Sequence, residues 1–250
     1  MIKTGFSCLL VAICFVGVPV HAQPGGGAIS VDDGTEVRSI ARLLDGHWVG
    51  DAKCGASKPS GSPSAPERLR VSGEVQTSSV RAIAPGSQEW VRLAPTILEL
   101  FDRREREQRL SDRASDAPRA VDWIYASEDG AGARRTYYFE ASRRVASGSV
   151  ADVDHDTDPP GTVRIAVAGF LHDTSGRLTP LGTKSELRWE QDGLPAGPNR
   201  PDLTPLGIVV HGERSIWVMK GQSGTSVWFT LYNVSPAGTL TLLTARAVRC

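Results

Sequence analysis

Cysteine is scarce in this chain of 250 residues: there are four, and two of them, Cys8 and Cys14, fall in the first 22 residues. Cys54 and Cys250 are left, which excludes a disulfide-dense scaffold and a zinc site built on thiolates, and makes a single disulfide the expectation in an oxidising compartment. Lysine is also rare, at 3, 53, 58, 184 and 220 only. Charge of either sign is not in excess, with 28 basic and 28 acidic residues, so neither nucleic acid nor an anionic membrane is an expected partner. The one long apolar run, Phe6 to Val18, is shorter than the roughly 20 residues a membrane span needs. No HExxH, GxSxG, P-loop or CxxC motif occurs, and no catalytic residue is assigned from the sequence.

What is present at the start reads as an address. Lys3, the apolar run, Pro19 and a small-residue site at 20–22 make residues 1–22 a secretory signal peptide. A secreted or periplasmic protein of residues 23–250 follows from cleavage after Ala22. QPGGGAIS opens a flexible segment at 23–32, and 33–250 reads as one domain. Within it, DGTEVRSIARLL at 33–44 reads as a short helix: Asp33 and Glu36 fit a capping box, and Val37, Ile40, Leu43 and Leu44 share a face.

The period then changes to two. Leu69 and Val71, Val121 with Trp123 and Tyr125, Tyr137 with Phe139, Val163 to Val167, Ile216 with Val218, and Val227 to Leu231 alternate with other residues. Turn signals stand between them, among them EDGAG at 128–132, DTSGR at 173–177, KGQSGT at 220–225 and SPAG at 235–238. This pattern predicts an all-β fold, a single antiparallel up-and-down β-barrel or alternatively a β-sandwich, with the short N-terminal helix before it. ILELFDRREREQRL at 97–110 reads as a strand to about Asp102 and then a charged loop, the alternative being a helix capped by Thr96. Trp217 and Trp228 stand symmetrically about KGQSGT and are expected to pair across a hairpin.

Gly46-x-Trp48-x-Gly50 follows the predicted helix. The stretch resembles the opening of the first strand in the calycin group, the lipocalins and the nitrobindin-like barrels. The resemblance covers about ten residues. It implies a barrel floored by Trp48, and a small apolar ligand held within. His47 and His211 are histidines able to point into such a barrel, and with Trp48 and Trp123 they form the candidate ligand-binding set. No cofactor is expected. Asp152, Asp154, Asp156 and Asp158 alternate as calcium-loop ligands do, but neither the glycine nor the closing glutamate of an EF-hand loop follows. They are the weak metal candidate; a solvated acidic turn is the plainer reading. The expected function is therefore non-enzymatic binding of a small apolar molecule. The alternative is a periplasmic protein–protein interaction module, an inhibitor or envelope-assembly factor.

Overall fold

The computed structural model describes residues 26–32, 34, 36–44, 47–50, 67–73, 75–109, 118–128, 134–146, 162–190, 203–223, 226–235 and 237–243. The leader expected at 1–22, Gly46, Cys54, Cys250 and the aspartates at 152, 154, 156 and 158 lie outside them. Among the described residues no helix is long and apolar enough to cross a membrane.

Among the described residues the fold is all-β apart from one helix, and every strand pairing is antiparallel. The first sheet holds β1 (Ala28–Asp32), β2 (Val37–Leu44), β3 (His47–Gly50) and β4 (Arg68–Ser72), in the order β3-β2-β1-β4. β5 (Gln76–Ser78) and β6 (Val80–Ala82) follow, and then α1 (Gln88–Gln108). The second sheet joins β6 to β7 (Ala120–Ser127), β8 (Arg134–Ala146), β9 (Thr162–Thr174) and β10 (Arg177–Glu190), in the order β10-β9-β8-β7-β6. The third joins β5 to β11 (Leu203–His211), β12 (Arg214–Ser223), β13 (Ser226–Val234) and β14 (Leu240–Leu242), in the order β14-β13-β12-β11-β5. Neighbours in sequence are neighbours in space from β6 to β10 and again from β11 to β14. The order breaks between those runs, where β11 pairs with β5. No closed barrel forms among the described residues.

Side-chain alternation stacks these elements in four layers. On the second sheet, Ile124, Tyr137, Phe139, Ala141, Ile165 and Val167 meet Leu93, Ile97, Leu100 and Phe101 of α1. Its other face, with Tyr138 and Phe170, meets Ile208, Trp217, Met219 and Val234 of the third sheet. The third sheet turns Val209, Ile216, Val218 and Leu231 to Ile29, Ala41, Leu43 and Trp48 of the first. The middle sheet is thus buried on both faces, which is why Ile216, Trp217, Val218 and Met219 run without a polar interruption and are all 0 % exposed.

Three local expectations are corrected. The helix expected at 33–44 is strand β2. Its apolar spacing fits the helical period, but pairing with β1 and β3 makes it a strand that buries Ala41 and Leu43. Just before it, Asp32 Oδ1 accepts from Gly34 N at 2.9 Å. The flexible segment expected at 23–32 is ordered from Ala28, because Ile29 and Val31 alternate into the core and β1 pairs on both edges. The strand expected to Asp102 is helix. α1 begins at Ser87, whose hydroxyl accepts from Trp90 N at 3.2 Å, and runs through Pro95 to a left-handed cap at Arg109. Leu93, Ile97, Leu100 and Phe101 give it one buried stripe.

Polar contacts hold α1 to its sheet. Burial works to raise the pKa of Glu89, but hydrogen bonds from Arg81 and Tyr137, the Arg81 charge and a bond from Arg135 outweigh it and hold the carboxyl below its ordinary value of 4.5. At the other end the buried Glu105 pairs with the buried Arg143 of β8.

Candidate functional site

The second and third sheets do not pack equally well along their length. At one end the gap is filled by Tyr138, Phe170, Trp217, Met219 and Val234, and Phe170 lies 5.4 Å from Trp217 and 5.1 Å from Tyr232 between ring centres. Toward the other end the side chains of the second sheet become short and polar. A cleft of about 110 Å³ opens there, lined by residues of β8, β9 and β10 on one side and of β11 and β13 on the other.

Strand register builds its floor. Trp123, Glu140, Ala168 and Lys184 are successive cross-strand partners on β7, β8, β9 and β10. The next row carries Ala120, Ser142, Ala166 and Glu186, and the one beyond carries Arg144, Arg164 and Arg188. Ala166 and Ala168 leave the middle of the floor low, with a carboxylate on one side and an ammonium on the other. A register shift between Val121 and Trp123 turns Trp123 to the Glu140 face, while Val121 packs toward α1. Asp122 in that irregularity meets Arg164 at 2.9 Å, and both side chains are buried.

Glu140 is 2 % exposed. Its Oε1 accepts from the Tyr138 hydroxyl at 2.6 Å and from the Leu203 amide at 3.0 Å. One bond comes from its own strand and one from the facing sheet, so the carboxylate is fixed in place. Burial, and after it the Glu140 charge, push Tyr125 up to about 12, which keeps that phenol neutral. Burial also raises Tyr232. Trp123 stacks on Tyr125 with ring centres 6.5 Å apart, and Tyr125 leads to Tyr138 at 6.4 Å.

The roof is Trp228, Thr230 and Tyr232 of β13. Trp228 is not paired with Trp217, as the sequence symmetry suggested. The tight connection that pairs Ser223 with Ser226 sets the register, so Trp217 faces Tyr232 and Trp228 faces Gly221. The indole lies over that glycine: a Cβ on Gly221 would sit 2.1 Å from Trp228 Cε2.

The four residues singled out in the sequence do not come together. Trp123 is the cross-strand partner of Glu140 but does not itself line the cleft. Trp48, 8 % exposed, packs between the first and third sheets and meets His211 edge-on at 6.4 Å. His47 is exposed at the start of β3. Sequence reading missed Glu140, Lys184, Tyr138 and Tyr232. A signal for Glu140 existed: it is the one acid inside the run TYYFEAS, at a strand position where the neighbours two residues away are Tyr138 and Ser142. Comparison with protein-family models, with curated proteins and with solved structures finds no match to this chain.

Proposed function

We propose that this chain is a non-enzymatic binding protein, acting outside the cytoplasm, that holds a small molecule in the cleft between its second and third sheets. The observation that carries the proposal is a concave site with Trp228, Tyr232, Tyr138 and Leu203 on its walls and one anchored carboxylate, Glu140, at its side. Small-molecule sites have this composition: apolar and aromatic walls with few fixed polar groups. At about 110 Å³ the cleft is smaller than the roughly 150 Å³ that takes benzene, so its enclosed part suits a small group or a short branched chain. The ligand is therefore amphipathic rather than wholly apolar.

The calycin-like reading of Gly46-x-Trp48-x-Gly50 is part of the same proposal. Its support is that the two ligand-facing sheets are joined at one edge: the extended segment from Gln76 to Ala82 leaves the third sheet as β5 and enters the second as β6. At the opposite edges a Cβ on Gly182 would lie 3.1 Å from Leu240.

A thermal-shift screen of small amphipathic molecules tests the reading. A ligand that binds only the folded state raises the melting temperature. Hits should stabilise the wild type and lose that effect on Thr230→Trp, which fills the roof. No hits, or hits that stabilise both proteins equally, would contradict it.

A further inference from the structure

We propose that two copies of this chain join along the outer edge of β10, antiparallel and about a two-fold axis at Leu187, so that their second sheets become one. β10 is the last strand of its sheet, and among the described residues no strand pairs with its outer side. An edge strand offers unpaired N–H and C=O groups to any chain that lies beside it. The two halves of this edge differ. Toward the hairpin with β9, Pro180 has no N–H to give, and the register shifts between Pro180 and Gly182. β14 and the turn before it crowd the same half. A Cβ on Gly182 would lie 3.1 Å from Leu240, and one on Gly238 would lie 3.3 Å from Leu181. From Thr183 to Glu190 the pairing with β9 is regular and no proline interrupts it. That is the half open to a partner strand.

The order of charges selects both the partner and the register. Lys184, Glu186, Arg188 and Glu190 stand at alternate positions, with Leu187 at their centre. A two-fold axis normal to the sheet brings residues of the same face together across the junction. With the axis at Leu187, Glu186 of each copy is opposite Arg188 of the other, and Leu187 is opposite its own copy. Moving the axis to Glu186 sets that acid against itself, and moving it to Arg188 sets that base against itself. Opposite charges directly across two strands stabilise the pair and like charges destabilise it. Glu186 and Arg188 decide this register by themselves, so a contact that Lys184 makes within its own chain leaves it unchanged. An edge of one sign would repel its own copy, whereas this edge is complementary to it. The dimer stands or falls apart from the binding role proposed above.

Sedimentation equilibrium of the purified protein tests the proposal. The wild type should show a monomer–dimer equilibrium. Glu186→Arg and Arg188→Glu each set like charges together on both sides of the axis, and each should weaken dimerisation about tenfold or more. An equimolar mixture of these two variants should associate like the wild type, because each supplies the sign the other lacks, and this association also shows that both fold. Mild oxidation gives a second reading. Leu187→Cys should form an inter-chain disulfide above the background set by Cys54 and Cys250, since the axis brings its two copies within reach of one. Thr183→Cys should not, being about eight residues, roughly 26 Å, from its own copy along the paired strands. A wild type that stays monomeric at its highest soluble concentration would overturn the proposal and leave this edge to a foreign strand or to none. A dimer that both charge variants form as tightly as the wild type would overturn it too, by placing the interface elsewhere.

Discussion

Tyr138 donates its hydroxyl to Glu140 Oε1 across 2.6 Å, from two residues earlier on the same strand and on the same face. Alternation puts both side chains between the sheets, so a phenol and a carboxylate satisfy each other where water is excluded. Removing the donor leaves a buried acid with one bond fewer. Tyr138→Phe should therefore cost about 1–3 kcal/mol of stability, the range for stranding a buried polar group. Urea unfolding of the variant beside the wild type measures this, and an unchanged midpoint would mean that the bond contributes nothing.

The pH dependence of stability has a definite sign at the alkaline end. Tyr125 is raised from 10.0 to about 12 by burial and by Glu140. Its neutral form is favoured in the folded state, so the associated stability is complete below about pH 10 and is lost as pH rises toward about 12. Tyr137 and Tyr232 shift in the same direction. Chemical unfolding at a series of alkaline pH values should show this decline. Tyr125→Phe should flatten it, and a variant as alkali-sensitive as the wild type would contradict the assignment.

Gly221 is required by the indole above it. A Cβ there would overlap Trp228 Cε2 and Cζ2 at 2.1 and 2.4 Å, so Gly221→Ala must push the ring from the roof. The expected cost is about 1–3 kcal/mol, as for overpacking in general, with a change in tryptophan emission. Thermal melting together with fluorescence reads both. An unshifted melt with unchanged emission would show that Trp228 does not rest on this glycine.

Trp48 lies between the first and third sheets, among Ile40, Leu43, Val75 and Val209. Trp48→Ala should cost about 3–5 kcal/mol. Because the cleft lies on the opposite face of the third sheet, the variant, while folded, should keep any binding measured there. A Trp48→Ala protein of normal stability that had lost binding would make Trp48 a ligand contact instead.

Much of the strand content was legible because alternation survives in the sequence: Leu69 and Val71, Tyr137 and Phe139, and Val163 to Val167 lie in strands as read. Residues 33–44 misled because Val37, Ile40, Leu43 and Leu44 satisfy a helical period, whereas in β2 it is Ala41 and Leu43 that are buried and Val37 and Leu44 are exposed. The favoured reading, a strand to Asp102 and then a loop, misses α1 along its length, because Pro95 interrupts a stripe that nevertheless runs from Leu93 to Phe101. The four-layer stack could have been sensed only in the unbroken apolar run at 216–219. The cleft was the least legible part. Glu140, Lys184 and Trp228 are far apart in the chain, and only strand register, which no local pattern states, brings them to one site. Trp123 was read as a candidate, yet its partner Glu140 was not.

The central claim is that the cleft over Ala168 holds a small molecule. Native mass spectrometry of the protein purified gently from its own cells, beside an Ala168→Phe variant prepared the same way, tests it most directly. The account predicts a retained small-molecule mass on the wild type and a bare Ala168→Phe chain that still melts cooperatively. A wild type as bare as the variant, or the same adduct on both, would contradict it.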